Sequence, residues 1–143
     1  MAKWNKKTFI DDLRKNCSRE VAKIGLQLVD FAENHSDNLS WGRGSDHGTM
    51  TFRCDTDQGL VPLFHLSSEG KINILLNTLR SKGLPKQVIH DMSLKLESNF
   101  LRDYDPEMYP VDVFEPMNHL FHTNTQVEKF IKTVEGCVYR LKQ

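Results

Sequence analysis

Residues 48–76 read GTMTFRCDTDQGLVPLFHLSSEGKINILL, and the fold is decided there. The opening GTMTFRCD alternates with period two. Met50, Phe52 and Cys54 fall on one face; Thr49, Thr51 and Arg53 fall on the other, as successive side chains do along a half-buried strand. DTDQG is a turn of aspartate and glycine. LVPLFHL is a second strand, in which Pro62 marks an edge or a start. SSEG is another turn, and KINILL is a third strand with Ile72, Ile74 and Leu76 on one side. Upstream, NLSW at 38–41 supplies a further strand. The loops are of hairpin length. The expectation is an antiparallel sheet of about four strands over residues 38–76, with Thr49, Thr51, Arg53 and His65 on its exposed face.

Outside this stretch the apolar period is helical. TFIDDLRKN at 8–16 reads as a short helix, with Thr8 as N-cap and Asp11 in the capping-box place. A longer helix is expected from Ser18 to Asn34, where Val21, Ile24, Leu28 and Phe31 form a stripe. Pro85 opens a third helix, lined by Ile89, Met92, Leu96 and Phe100. Residues 101–118 hold three prolines and many acids and read as irregular. A last helix is expected over 125–141. Thr125 and Glu128 would form its capping box, and Val127, Ile131, Val134, Val138 and Leu141 its apolar stripe. The expected architecture is a single α+β domain over residues 1–143, ordered α-β-β-β-β-α-α, with its helices on one face of the sheet.

The composition suits one globular domain: 143 residues, 38% hydrophobic and 27% charged. Nineteen basic residues balance nineteen acidic ones, which argues against a whole-domain field that captures nucleic acid. Locally the balance breaks. Residues 1–23 carry seven Lys/Arg against three acids, and residues 97–117 carry six acids against Arg102 alone. Cys17, Cys54 and Cys137 are odd in number and far apart, so neither a disulfide framework nor a zinc ribbon is indicated. The start MAKWNKKTFIDDL lacks an apolar signal core. No apolar run approaches the roughly 20 residues that span a bilayer. These features lead to the expectation of a reduced, cytoplasmic protein with no membrane partner.

Residues 39–50, LSWGRGSDHGTM, concentrate the polar chemistry. A glycine-rich loop cradles phosphate when it opens a helix; this one opens a strand and lacks the GK[ST] ending of a P-loop. It reads instead as a hairpin connection, with Gly42, Gly44 and Gly48 supplying positive φ or close backbone approach. Trp41, beside Gly42, is expected to be a core anchor that closes the sheet against a helix. Trp41, Arg43, Asp46 and His47 form the candidate partner-binding set, since loop tips on rigid scaffolds carry recognition residues. An alternative constellation is nuclease-like. Glu69-Gly70-Lys71 spells (D/E)-x-K, with Asp55 and Asp57 upstream. Two carboxylates can share a divalent cation while a lysine steadies a phosphate, but here the residues fall in turns. His119 and His122 are spaced i, i+3 without a third ligand, and Cys54 reads as a small buried hydrophobe. No cofactor and no metal site are expected.

The run WGRGSDHGTMTF, followed by VPLFHLSSEGKINILL and LRSKG, resembles a group of uncharacterised bacterial domains. In those a long helix precedes a W-G-x-G-x3-G-[ST] hairpin, then an [LI]-F strand, a glycine-initiated strand and two closing helices. The resemblance spans about residues 8–140. It implies this fold and a DNA-related setting, because some such modules end larger proteins of DNA restriction or modification. It implies no catalytic residues. The favoured expectation is a non-catalytic interaction module for a protein or nucleic-acid partner. The alternatives are a (D/E)-x-K nuclease and a small-ligand or nucleotide binder acting through Gly42–Gly48.

Overall fold

The computed structural model describes residues 4–42, 47–100 and 112–142. Two helices come first, α1 (Lys6–Asn16) and α2 (Arg19–His35). Four strands follow: β1 (Asn38–Trp41), β2 (Thr49–Thr56), β3 (Gly59–Ser67) and β4 (Lys71–Ile74). Then come α3 (Leu76–Ser81), α4 (Lys86–Phe100), β5 (Glu115–Pro116), α5 (Met117–Leu120) and α6 (Asn124–Leu141). The strands lie in sequence order, β1-β2-β3-β4-β5, and every neighbouring pair is antiparallel. The class is α+β, and the sheet has five strands where about four are expected.

The fifth strand lies in the stretch read as irregular. Glu115 and Pro116 pair with Ile72 and Lys71. A two-residue strand ending in proline carries no periodicity to read. The expected third strand also stops early. After Ile74 the chain turns into α3, so Leu76 is a buried helical residue rather than a strand residue. α3 has no side-chain cap of its own. Asp112 supplies one from a distance, accepting the N–H groups of Asn77 and Thr78, both at 2.9 Å, and the Thr78 hydroxyl at 2.6 Å. These are N–H donors that a short helix leaves unpaired.

The turns follow their chemistry. Thr56-Asp57-Gln58-Gly59 closes β2 onto β3, and Ser67-Ser68-Glu69-Gly70 closes β3 onto β4. Gly59 and Gly70 hold φ near +90°, a conformation that glycine adopts without a Cβ clash. Within β2–β3 the register shifts: Phe52 faces Phe64, but Arg53 faces Pro62. Leu63 is thus an extra residue, a bulge that reverses the inward parity of β3. Phe64 and Leu66 point inward ahead of it, and Val61 pairs with inward Cys54 beyond it; all four are buried. Pro62 lies where β3 has run past β4, whose pairing reaches only Phe64.

The core lies between the inward sheet face and the helices. Rings stack from α2 across the sheet, Phe31 on Phe52 at 5.4 Å and Phe52 on Phe64 at 5.2 Å. They continue edge-on into Phe130 of α6, Phe121, and Phe100 of α4. On α6 the buried stripe is Val127, Phe130, Val134, Cys137 and Leu141. Ile131 and Val138, expected in the core, are only partly buried at its margin, as is Ile24 of α2. Two of the expected helix caps are displaced. The N-cap of α1 is Asn5, with Thr8 as its capping-box partner, rather than Thr8 with Asp11. α6 is capped by Thr123 with Gln126, rather than Thr125 with Glu128. α2 starts after Ser18, as expected.

Candidate interaction surface

The glycine-bearing loop 42–48 joins β1 to β2 as a hairpin connection, and its base is tied down from three directions. Gly42 N–H donates to Thr49 O at 2.7 Å. Gly48 N–H donates to the hydroxyl of Ser68 at 2.7 Å, and Ser68 N–H returns a bond to Gly48 O at 2.9 Å. The same Ser68 hydroxyl donates to Asp12 of α1 at 2.5 Å. One fully buried serine therefore joins the β1–β2 loop, the β3–β4 turn and α1. Trp4 N–H adds a bond to Gly42 O at 3.3 Å. Trp41, half-buried, packs its ring 5.3 Å from Phe9, so much of that side chain serves the fold.

Neither Gly42 nor Gly48 has positive φ; among the described glycines only Gly59 and Gly70 do. Gly48 is required for space. A Cβ there would lie 2.7 Å from the Trp4 ring and 3.1 Å from that of Phe9. Both N–H groups of these glycines already donate within the fold, and the loop leads into β2 rather than a helix. The loop base is therefore not a phosphate cradle. Arg43, Gly44 and Asp46 lie outside the described residues. His47 is within them, its Nδ1 3.5 Å from Glu69 Oε1 and both side chains well exposed.

That contact also divides the nuclease-like quartet. Glu69 sits in the β3–β4 turn beside the β1–β2 loop. Asp55 and Asp57 sit at the other end of the β2–β3 hairpin, where Asp55 pairs with Leu60. A nine-residue strand separates the two turns, roughly 25 Å at about 3.3 Å per residue. Asp55 and Asp57 instead flank Asp37, Thr56 and Lys142 in an open polar depression of about 290 Å³. There Asp37 accepts the Asp55 N–H at 2.8 Å and the Lys142 ammonium at 2.6 Å. The Lys142 bond first, then that from Asp55, holds its carboxyl below the usual range. Among the described residues no group of three or more His, Cys, Asp or Glu is placed to hold a metal. His119 lies on α5 and His122 falls after its C-cap, Phe121, so the pair shares no helical face.

The polar face of the sheet is less open than expected. Ser40, Thr51, His65 and Asn73 stand in register across β1 to β4, yet Thr51 and Asn73 are buried. Thr51 Oγ1 and His65 Nδ1 are hydrogen-bonded at 2.7 Å. Arg53 donates to Ser40 Oγ and Asn38 Oδ1. Phe114 lies over the His65 ring at 6.2 Å. Burial, followed by the Arg53 cation, lowers the pKa of His65, against an opposing pull from Asp112. This shift favours the neutral imidazole. Cys54 and Cys137 are buried thiols whose pKa values burial pushes up to about 11 and about 12, far from the reactive thiolate range.

The loop is legible in the sequence, but the serine that holds it is not. SSEG marks a turn, and nothing local marks Ser68 as the junction of three elements. No described helix is long and apolar enough to cross a membrane. No protein-family model, no curated protein and no solved structure matches the chain.

Proposed function

We propose that this domain is a non-catalytic interaction module of the bacterial cytoplasm. It presents the β1–β2 loop, with Trp41 at its base and Arg43, Asp46 and His47 along it, to a protein or nucleic-acid partner in a DNA-related setting. The observation that supports this reading is the Ser68 junction. The base of the loop, at Gly42 and Gly48, is already fixed to α1 and to the β3–β4 turn, so a partner need not order that base. Arg43 brings a planar donor fork suited to carboxylate or phosphate. His47 and Glu69 add an exposed polar pair at the end of the loop that leads into β2. The DNA-related setting rests on the resemblance of the W-G-x-G-x3-G-[ST] stretch.

The test places a photo-crosslinking amino acid in the chromosomally encoded protein, at His47 in one strain and at Leu94 in another. Leu94 is an exposed position on α4. Adducts are expected from position 47, lost when Arg43→Ala is added, with the thermal midpoint unchanged. Equal adducts from both positions, or adducts indifferent to Arg43→Ala, would sink the reading. Plasmid DNA incubated with the protein and Mg²⁺ or Mn²⁺ is expected to remain supercoiled; cleavage abolished by Glu69→Ala would overturn the non-catalytic assignment.

A further inference from the structure

The junction of α1 and α2 forms a second surface, which borders the β3–β4 turn where Cys17 Sγ lies 3.9 Å from Ser68 O. Only Cys17 and Ser18 separate the two helices, and Ser18 caps α2 by accepting the Val21 N–H at 3.2 Å. A groove of about 420 Å³ opens there, lined by Arg14, Cys17, Arg19, Ala22, Lys23 and Leu26. Arg14 comes from the last turn of α1. Arg19 and Lys23 come from α2, one turn apart on the same side. Several cations elsewhere in the chain are paired: Lys6 with Glu33, Arg140 with Asp91 and Lys142 with Asp37. Arg14, Arg19 and Lys23 make no ion pair among the described residues. Asp12, an acid of α1 close to Arg14 in sequence, is bonded to the Ser68 hydroxyl.

Between these cations the groove is apolar. Ala22 is buried against the core, and Cys17 and Leu26 are half-buried. Gly25 lets α2 approach Leu13 of α1 closely, so the two walls are held at fixed separation. Three cations around an apolar floor match a ligand that carries carboxylates beside an apolar side chain. Guanidinium groups take carboxylates two-pronged, and an apolar anchor buried at the centre supplies the contact that a rim of exposed charges lacks. A nucleic-acid strand fits less well. It needs a cationic track along successive phosphates, whereas these three cations form one compact cluster on a chain of zero formal net charge.

We infer that the α1–α2 groove is a docking site for an acidic, leucine-bearing segment of a partner protein. The segment's carboxylates meet Arg14, Arg19 and Lys23, and an apolar side chain rests on Ala22 and Leu26. This reading is independent of the β1–β2 loop, and Arg43→Ala leaves it unaffected.

The experiment uses the full chain and a fluorescein-labelled peptide of alternating glutamate and leucine clusters, read by fluorescence anisotropy. Two competitors are run beside it: the same peptide with glutamine for glutamate, and a single-stranded oligonucleotide of equal net charge. Circular dichroism checks that each variant is folded. The expected result is binding by the acidic peptide, weakened at least about tenfold by Arg19→Glu with Lys23→Glu. The swap Arg19→Lys with Lys23→Arg, which keeps both charges and one guanidinium, weakens binding less than the charge reversal does, and amide shifts on peptide addition cluster over residues 14–26. The inference is overturned by absence of binding, by equal binding of the glutamine peptide or of the charge-reversed protein, or by shifts elsewhere. An oligonucleotide that displaces the peptide more strongly than the peptide displaces itself would assign the groove to nucleic acid instead.

Discussion

Gly48 illustrates how a single position couples the loop to the rest of the chain. Its hydrogen atom faces Trp4 and Phe9 where a Cβ would lie at 2.7 Å and 3.1 Å, and its N–H and C=O both bond Ser68. Gly48→Ala is expected to cost about 1–3 kcal/mol by overpacking, measured by urea unfolding. Adding Trp4→Ala should recover part of that cost, and additive losses would show that the ring is not the obstacle. His65 gives a pH signature. Its folded-state pKa lies below the ordinary 6.5, so the unfolded chain binds the proton more readily. Stability from this group is fully present above pH 6.5 and is lost as pH falls through that value toward the folded pKa. Thermal midpoints are expected to drop as pH falls below about 6.5, less so in His65→Gln; identical slopes would assign the effect elsewhere. The alternation of GTMTFRCD correctly assigns Thr51 and Arg53 to one side of the sheet. It carries no sign that Thr51 is buried, because Phe114, which lies over its partner His65, comes from a segment without periodicity.

At the level of elements, type is legible and ends are not. The 3.6-residue stripes of α2, α4 and α6 and the period-two strands are each readable, since apolar spacing reflects which face meets the core. Caps are ambiguous where two candidate threonines lie within a turn of each other. Thr123 and Thr125 both precede an acceptor three residues on, Gln126 and Glu128. The cap belongs to Thr123, whose hydroxyl accepts the Gln126 N–H at 3.3 Å while Gln126 Oε1 accepts the Thr123 N–H at 3.3 Å. Thr123→Ala is expected to destabilise by about 1 kcal/mol and Thr125→Ala by a few tenths, as read from chemical denaturation. The reverse order would return the helix start to Thr125. The remote cap of α3 by Asp112 and the strand Glu115–Pro116 have no local signal, because both depend on where a distant segment lies.

Across the whole molecule, the run of phenylalanine rings from Phe31 to Phe100 links α2, the sheet, α6 and α4. Phe64 stands in its middle and is fully buried. Phe64→Ala is expected to cost about 3–5 kcal/mol. Ile131→Ala, at the core margin, is expected to cost about 1 kcal/mol. Equal losses in guanidinium melts would place Ile131 inside the core after all. The candidate site is legible only in part. Glycine-rich composition points to the loop 42–48, whereas the separation of Asp55 from Glu69 follows from the length of β3 and is invisible in a tripeptide motif. The groove at the α1–α2 junction needs two helices in register, which the basic bias of residues 1–23 could suggest but not shape.

The same ring run has a consequence during synthesis. Phe64 meets Phe130 from a helix made much later; the two rings are 66 residues apart in sequence. At about 5–20 residues per second, the ribosome needs several seconds to make that span. The meander can pair strand by strand as it emerges, each hairpin closing on its own turn, while α2 is already present to shield Phe52. The Phe64 ring lacks its Phe130 partner until α6 emerges. For those seconds the nascent chain displays the sort of apolar surface that chaperones bind.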